Sequence, residues 1–149
     1  MTILINRHNP FFDRKIAEDL YEENRHFLNN AYDFSYASDS DLFFNIYDKG
    51  EFIGCCYVMM EKHEGESLPF YSGYSKRKKH KEMIEAQHIL LGLLFEHFDM
   101  VYTYTPHQHA RLFNKKAGMI ELKDHPGTFY MEKNKWVAAE KAEKQNCQQ

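Results

Sequence analysis

Hydrophobic and polar positions along the chain change their period several times, which predicts an alternation of strands and helices. Short runs rich in β-branched and aromatic residues predict strands, and apolar residues three and four apart predict helices. The predicted strands are 2–6, 42–47, 52–60, 68–74, 100–104, 119–122 and 128–132. The predicted helices begin at Asn9–Pro10 and extend to Leu28, cover 76–98, and run from Thr105–Pro106 to Gly118. Residues 35–41 are predicted to be a loop.

The order β-α-β-β-β-α-β-α-β-β, without internal repeats, predicts one α/β domain. Asp48-Lys49-Gly50-Glu51 lies between two apolar runs and is typical of a hairpin turn. Strand 52–60 is apolar on both faces, as expected for the middle of a covered sheet. We assign residues 1–134 to the domain and 135–149 to a polar C-terminal tail.

Net charge, cysteine content and the length of the apolar runs argue against several classes of protein. The chain has 149 residues and a net charge of −3, which argues against a generally basic nucleic-acid binder. Its three cysteines, Cys55, Cys56 and Cys147, form no disulfide framework, so a reducing compartment is expected. We expect no signal peptide at 1–7 and no membrane span, since the longest apolar run, 89–95, is too short.

A basic run is the main candidate binding feature. Lys76, Arg77, Lys78, Lys79 and Lys81 surround the predicted start of the long helix. Cations at a helix N-terminus cost roughly 0.3–1 kcal/mol. The run is therefore either a solvated first turn or a site that binds an anion through its side chains. The anion could be a cofactor phosphate, a nucleic-acid backbone or an acidic protein partner.

Two segments resemble the GNAT (N-acetyltransferase-like) superfamily: 49–54 (KGEFIG) and 110–119 (ARLFNKKAGM). The first is similar to the family's second hairpin and the second to its last helix with the exit into a strand. The resemblance covers roughly 3–133. It implies a central mixed, mostly antiparallel sheet of six to seven strands, flanked by three or more helices. It also implies acetyl-CoA as the cofactor and strands 70–74 and 100–104 that splay apart to admit it.

A narrower resemblance involves 72–79 (SGYSKRKK), the helix that follows, and 110–118. These segments look like small GNAT-like proteins of short-tailed bacteriophages, described as internal virion or head-assembly proteins. The resemblance implies a location in the virion interior or the host cytoplasm, and a virion or host protein as partner.

The GNAT resemblance also assigns a cofactor loop. In the family, an Arg/Gln-x-x-Gly-x-Gly/Ala loop holds the CoA pyrophosphate against its backbone N–H groups. Here Arg77 matches the pattern, but His80 and Glu82 occupy the two small-residue positions. The cofactor-binding candidates implied by the resemblance are Tyr71, Ser72, Gly73, Arg77, Lys78, Lys79, His80 and Lys81.

The resemblance also bears on the catalytic residues. Many GNAT enzymes use a tyrosine four residues before the motif glycine as general acid, and Asn114 stands there in this chain. An asparagine cannot supply a proton at neutral pH. Tyr102 and Tyr104, on the preceding strand, are alternatives that more often serve packing.

Other polar groups are candidates for catalysis or metal binding. Glu61, Glu64 and Glu66 are candidate bases in what reads as a solvated turn. His107 could face a substrate amine. His107 and His109 diverge on a helix, so no metal site is expected. Cys55 and Cys56 are expected to be inert core residues.

Three functions remain open from the sequence. The first is a non-catalytic GNAT-like phage protein with a degenerate acyl-CoA site. The second is an acetyl-CoA-dependent N-acyltransferase that acts on a protein or a small amine. The third, a nucleic-acid accessory that uses 76–81, is disfavoured by the overall negative charge.

Overall fold

A computed structural model describes residues 1–28, 33–105, 108–138 and 141. The strands are β1 (Thr2–Asn6), β2 (Phe43–Asp48), β3 (Glu51–His63), β4 (Glu66–Ser75), β5 (Met100–Tyr104), β6 (Ile120–Glu121) and β7 (Thr128–Glu132). The helices are α1 (Arg14–Asn24), α2 (Phe34–Ser38), α3 (His80–Leu94), α4 (Gln108–Lys116) and α5 (133–138). A 3₁₀ turn, Arg25–Leu28, follows α1.

The seven strands form one sheet in the order β1-β2-β3-β4-β5-β7-β6. Every neighbouring pair is antiparallel except β4 and β5, which are parallel. The expected mixed, mostly antiparallel sheet with flanking helices is therefore confirmed. None of the described helices is both long enough and apolar enough to cross a bilayer.

Two tight turns connect β2 to β3 and β3 to β4. Lys49 and Gly50 have φ of 52° and 80°, and Glu64 and Gly65 have φ of 52° and 84°. Positive φ at both central residues is the type I′ geometry that matches the twist of a hairpin. The hairpin predicted at Asp48–Glu51 is confirmed.

Two apolar cores lie on opposite faces of the sheet. One core packs α3 residues such as Leu90 and Leu94 against sheet residues such as Ile46 and Phe129. The other packs α1 and α2 against β2, β3 and β4, with Phe43 at its centre. Strand β3 contributes to both cores, as its apolar pattern predicted.

The first two helices differ from the sequence-based expectation. Helix α1 begins at Arg14, not at Asn9–Pro10, because the Asp13 carboxylate accepts the N–H of Ile16 at 3.2 Å and caps the helix. Asn9 instead closes a turn by accepting the N–H of Phe11 at 2.8 Å. The expected loop at 35–41 contains α2, whose Phe34 and Ala37 are buried against the sheet.

The long helix also starts later than predicted. The N–H of Lys76 donates to the carbonyl of Ile53 at 2.9 Å, which extends the pairing of β4 with β3. Lys78 then adopts a φ of 64°, in the left-handed region, which a right-handed α-helix does not contain. Residues 76–79 are consequently a loop, and α3 covers His80–Leu94 instead of 76–98.

The end of the described chain packs on α3. Trp136 of α5 lies 5.5 Å from Phe95 between ring centroids, and its ring is 3.4 Å from where a methyl group on Gly92 would be. Helix α5 crosses the expected boundary between 134 and 135. Trp136 therefore adds to the core on the α3 face.

Candidate functional site

A gap between β4 and β5 is the central feature of the candidate site. The two parallel strands share one bridge, Phe70 with Tyr102. One residue further along each strand, the hydroxyl of Thr103 donates to the carbonyl oxygen of Tyr71 at 2.7 Å. Successive peptide groups point to opposite edges of a strand, so the peptide of Gly73 faces the same gap as that of Tyr71. Gly73 is exposed there.

Two glycines let the start of α3 lie close to the sheet. A methyl group on Gly73 would come within 3.0 Å of the Cys55 carbonyl and 3.5 Å of Met83 Cε. A methyl group on Gly54 would lie 2.5 Å from the Tyr74 carbonyl and 3.0 Å from Met83 Sδ. Met83, in the first turn of α3, thus fixes the helix start above the strand edge.

The N-terminus of α3 has no side-chain cap. Lys79 is the N-cap residue, and the first helical hydrogen bond runs from the N–H of Met83 to the Lys79 carbonyl at 2.9 Å. The N–H groups of His80, Lys81 and Glu82 therefore have no partner within the helix. Such N–H groups, together with the helix dipole, favour an anion.

The five cations of the predicted run divide into two groups. Lys79 Nζ lies 3.5 Å from a Glu51 carboxylate oxygen, and Lys76 Nζ lies 5.7 Å from the centre of the Phe52 ring. Both are thereby directed to the β2–β3 hairpin. The other three are exposed and form no ion pair with any described residue: Arg77, Lys78 and Lys81.

The residues present do not suit a pyrophosphate lying directly on the main chain. The His80 ring sits 6.2 Å from the Phe113 ring, so a contact joins the start of α3 to α4. These two helices follow β4 and β5 in the chain, the strands that border the gap. Glu82 adds negative charge in the first turn of α3. An anion at this place would be held by side chains, with less access to the backbone than glycines would give.

Asn114 occupies a structural position in α4. Its side chain is buried, and its backbone carbonyl accepts the N–H of Met119 at 3.0 Å. The N–H of Gly118 donates to the Lys115 carbonyl at 3.1 Å, with Gly118 at a φ of 93°. These two bonds form the Schellman motif that ends many helices at a glycine. The helix end predicted at Gly118 is confirmed.

No tyrosine of the gap is arranged as an obvious proton donor. Tyr71 is buried, its hydroxyl is hydrogen-bonded to Gln87, and burial raises its pKa. Tyr102 stacks on Phe70 with centroids 5.4 Å apart, and its pKa is raised by burial and then by the charge of Glu66. Tyr104 is 56% exposed at the end of β5. His107 lies outside the described residues.

The other candidates lie away from the gap. Only Glu64 lies in the β3–β4 turn; Glu61 belongs to β3 and Glu66 to β4, because the strands pair further than the predicted turn allowed. All three are exposed, at the opposite end of β4 from the cation-bearing loop, which comprises 76–79 and the first turn of α3. Cys55 and Cys56 are buried, and burial raises the pKa of both thiols. Among the described residues, no three His, Cys, Asp or Glu side chains come together in a way that could hold a metal ion.

Two residues of the gap were not singled out from the sequence. Thr103 bridges the strands through its hydroxyl, and buried Gln87 of α3 reaches the Tyr71 hydroxyl. A polar residue within an apolar strand or helix face is the signal that could have indicated them. The partner of each lies far away in the chain, so the pattern alone could not supply the pairing.

Comparison with solved structures identifies the architecture. An acetyltransferase from Agrobacterium tumefaciens str. C58 matches with a TM-score of 0.60 and 16% identity, covering 87% of this chain and 92% of that chain. The KacTA–DNA complex matches with a TM-score of 0.60 and 10% sequence identity, and the match covers 95% of this chain and 99% of that chain. Campylobacter jejuni N-acetyltransferase PseH, in complex with acetyl coenzyme A, matches with a TM-score of 0.52 and 14% sequence identity. This match covers 89% of this chain and 99% of that chain.

The chain has the GNAT fold. At these identities the likeness concerns the fold alone. No protein-family model matches the chain, and no curated protein matches it either. The β4–β5 gap and the loop before α3 contain the residues that the sequence resemblance named as cofactor-binding candidates.

Proposed function

We propose that this GNAT-fold protein is a binding protein with a degenerate acyl-CoA site, and that it acts inside a phage particle or in assembly of the phage head. The phage assignment rests on the resemblance of 72–79 and 110–118. The observation that supports a non-catalytic role is buried Asn114, which stands at the position that the resemblance gives to the general acid and carries no hydroxyl to donate a proton. Of the three tyrosines considered at the gap, Tyr71 and Tyr102 are held by a hydrogen bond and by ring stacking, and Tyr104 is exposed.

The cation-bearing loop is the proposed contact surface for the partner. Arg77, Lys78 and Lys81 are exposed and unpaired within the described part of the chain. They surround an uncapped helix start, so an acidic segment of a virion or host protein would be attracted both by side chains and by backbone N–H groups. Because the chain as a whole is negative, this attraction is local and sensitive to salt.

Incorporation into particles tests this role. The double variant Arg77→Glu/Lys78→Glu should reduce the amount of the protein in purified particles or assembly intermediates, as measured by quantitative mass spectrometry. Lys123→Glu/Lys135→Glu makes the same charge change at exposed sites outside the loop and should be incorporated normally. Absence of the unmodified protein from both kinds of sample would overturn the proposal.

An acetyl-CoA-dependent N-acyltransferase is the second candidate. The observation that favours it is the gap itself, since Gly73 presents an exposed peptide edge where β5 has diverged. Among proteins of the same fold, PseH has been solved in complex with acetyl coenzyme A, and a mutant AtaT toxin with acetyl-CoA and the C-terminus of the antitoxin AtaR. A protein or a small amine would be the acceptor.

Thermal unfolding with and without acetyl-CoA separates the two candidates. A ligand at a hundred times its dissociation constant stabilises the folded state by about 2.7 kcal/mol. The binding-protein proposal predicts no such stabilisation at millimolar acetyl-CoA. A clear increase in the melting temperature, removed by Arg77→Glu, would instead support the acyltransferase.

A further inference from the structure

An exposed part of the sheet lies at the end of β4 away from the cation-bearing loop. The register of β3, β4, β5 and β7 places one set of alternate side chains on the α1 side of the sheet. Helices α1 and α2 cover this side over β2, β3 and β4, as far as Met59. Beyond Met59 no described helix packs on it. We call this surface the open sheet face and define it by Glu61, His63, Glu66, Phe70, Tyr102 and Glu132.

Three rings of the open sheet face stack across three strands. His63 of β3 lies 5.6 Å from Phe70 of β4, at 29° between planes, and Phe70 lies 5.4 Å from Tyr102 of β5, at 22°. All three side chains are at least partly exposed. A row of parallel rings of this kind gives a continuous apolar strip across the strands, long enough for several residues of an extended segment.

Carboxylates flank this strip. Glu61 lies 3.5 Å from His63 and is half exposed, and Glu66 is exposed directly across from His63. The charge of Glu66 reaches Tyr102 and contributes to the raised pKa of that phenol. Glu132 shares the face on β7. None of the positions that these strands direct to the open sheet face, beyond Met59, is a lysine or an arginine.

We propose that the open sheet face binds a lysine- or arginine-rich segment of a partner protein. The aliphatic stems of such side chains pack on aromatic surface while their charged ends stay in water, within reach of carboxylates. The aromatic strip and the acidic rim therefore complement the two parts of one side chain. The charge sign distinguishes this surface from the cation-bearing loop, which would attract an acidic segment.

Fluorescence anisotropy with a short labelled peptide of alternating lysine and alanine tests the proposal. The unmodified protein should bind it saturably and should not bind the glutamate counterpart. Glu61→Lys/Glu66→Lys should weaken binding about tenfold, since two rim charges are reversed. Glu85→Lys/Glu96→Lys makes the same net charge change at exposed sites on the α3 side and should bind as the unmodified protein does. Equal weakening by both pairs would overturn the proposal.

Methionine methyl NMR locates the peptide independently of any substitution. Met59 and Met100 lie on the α1 side of the sheet beside the open sheet face, and Met83, Met119 and Met131 belong to the core on the α3 side. Titration should shift the first two methyl signals and leave the other three in place. Shifts confined to the second group would contradict the proposal.

The titration also separates a partner segment from a second copy of the chain. If the Met59 and Met100 signals shift on raising the concentration of the protein alone, and the lysine peptide adds nothing, the occupant is another copy and the proposal is wrong. The open sheet face meets the gap at the Phe70–Tyr102 bridge, but Glu61 and Glu66, which the test changes, lie at the other end of β4 from Arg77 and Lys78. The peptide result is therefore read separately from the acetyl-CoA and incorporation experiments.

Discussion

The hydroxyl of Thr103 donates a 2.7 Å hydrogen bond to the carbonyl oxygen of Tyr71, across the gap between β5 and β4. Because Thr103 is buried, water would not replace its hydroxyl as the partner of the Tyr71 carbonyl oxygen if that hydroxyl were removed. Thr103→Val keeps the side-chain volume and should destabilise the protein by about 1–3 kcal/mol, the cost of an unsatisfied buried group. Urea unfolding measures the change. Thr103→Ser retains a hydroxyl and should lose less, and equal losses in the two variants would contradict the role given to the bond.

Gly127 combines an unusual backbone conformation with a close contact. It has a φ of 90°, and a methyl group there would lie 2.8 Å from the Thr105 carbonyl. Gly50 has a φ of 80° with nothing within 4 Å. Alanine at either position carries the left-handed cost of about 1 kcal/mol. Gly127→Ala should cost about 1–3 kcal/mol more than Gly50→Ala, because the neighbouring turn must move. Thermal unfolding of both variants gives the difference.

Trp136 is the only tryptophan and reports on α5 directly. Because its ring packs on Phe95, its emission should be at a shorter wavelength in the native protein than after unfolding. The fluorescence and far-UV circular dichroism transitions should coincide. An early, separate fluorescence transition would show that α5 detaches on its own. Trp136→Ala should destabilise the domain by about 1–2 kcal/mol, and Trp136→Phe by less.

The adjacent cysteines, Cys55 and Cys56, should not react with thiol reagents in the native state. Burial raises the pKa of Cys55 and Cys56, so almost no thiolate is present at pH 8. In a Cys147→Ser variant, a thiol-specific chromogenic reagent should not react with native protein and should titrate both cysteines after denaturation. Rapid reaction of the native variant would show that β3 opens far more readily than its place between two cores suggests.

Glu121 should make stability depend on pH at the acidic end. The N–H of Gly127 is the main cause of its lowered pKa, and Arg111, 2.6 Å away, contributes. A carboxyl group whose pKa is lower in the folded state than in the unfolded state stabilises the folded protein at pH values above the unfolded-state pKa, near 4.5. This stabilisation is lost as the pH falls through the folded-state pKa. Glu121→Gln should therefore be less stable than the unmodified protein at pH 6, and the difference should shrink below pH 4.5. A difference independent of pH would contradict the charge-based explanation.

The strands could be predicted well because each carries its own signal. The apolar runs and the Lys49–Gly50 turn placed the end of β2 and the start of β3 within one residue. The predicted end of β3 at 60 and start of β4 at 68 were wrong, because the two strands stay paired through polar residues as far as His63 and Glu66. Helix boundaries were less predictable because distant partners decide them. Lys76 continues the sheet through Ile53, which no local pattern reveals. Helix α2 forms because Phe34 and Ala37 find a buried surface, although five residues hold little helical propensity.

The candidate site shows the same division. Motif spacing placed Asn114 four residues before Gly118, and composition singled out the cations of 76–81. Residues 76–79 were predicted as helix and form a loop instead. The bond between Thr103 and Tyr71 and the contact between His80 and Phe113 join residues more than thirty positions apart. The stacked row of the open sheet face depends on the register of three strands, which the sequence does not state. Cross-strand pairing is thus the part that required the structure.

The single bridge between Phe70 and Tyr102 divides the sheet into two leaves. One leaf is the meander β1 to β4, and the other contains β5, β7 and β6, each held together by antiparallel ladders. Between the strands themselves, the seam is closed by one bridge and the Thr103 hydrogen bond, whereas β3 and β4 are joined by a ladder that runs from Gly54 to His63. The apolar core under α3 spans both leaves. The two leaves are therefore joined mainly by side chains packed beneath α3, and only in small part by hydrogen bonds between their strands.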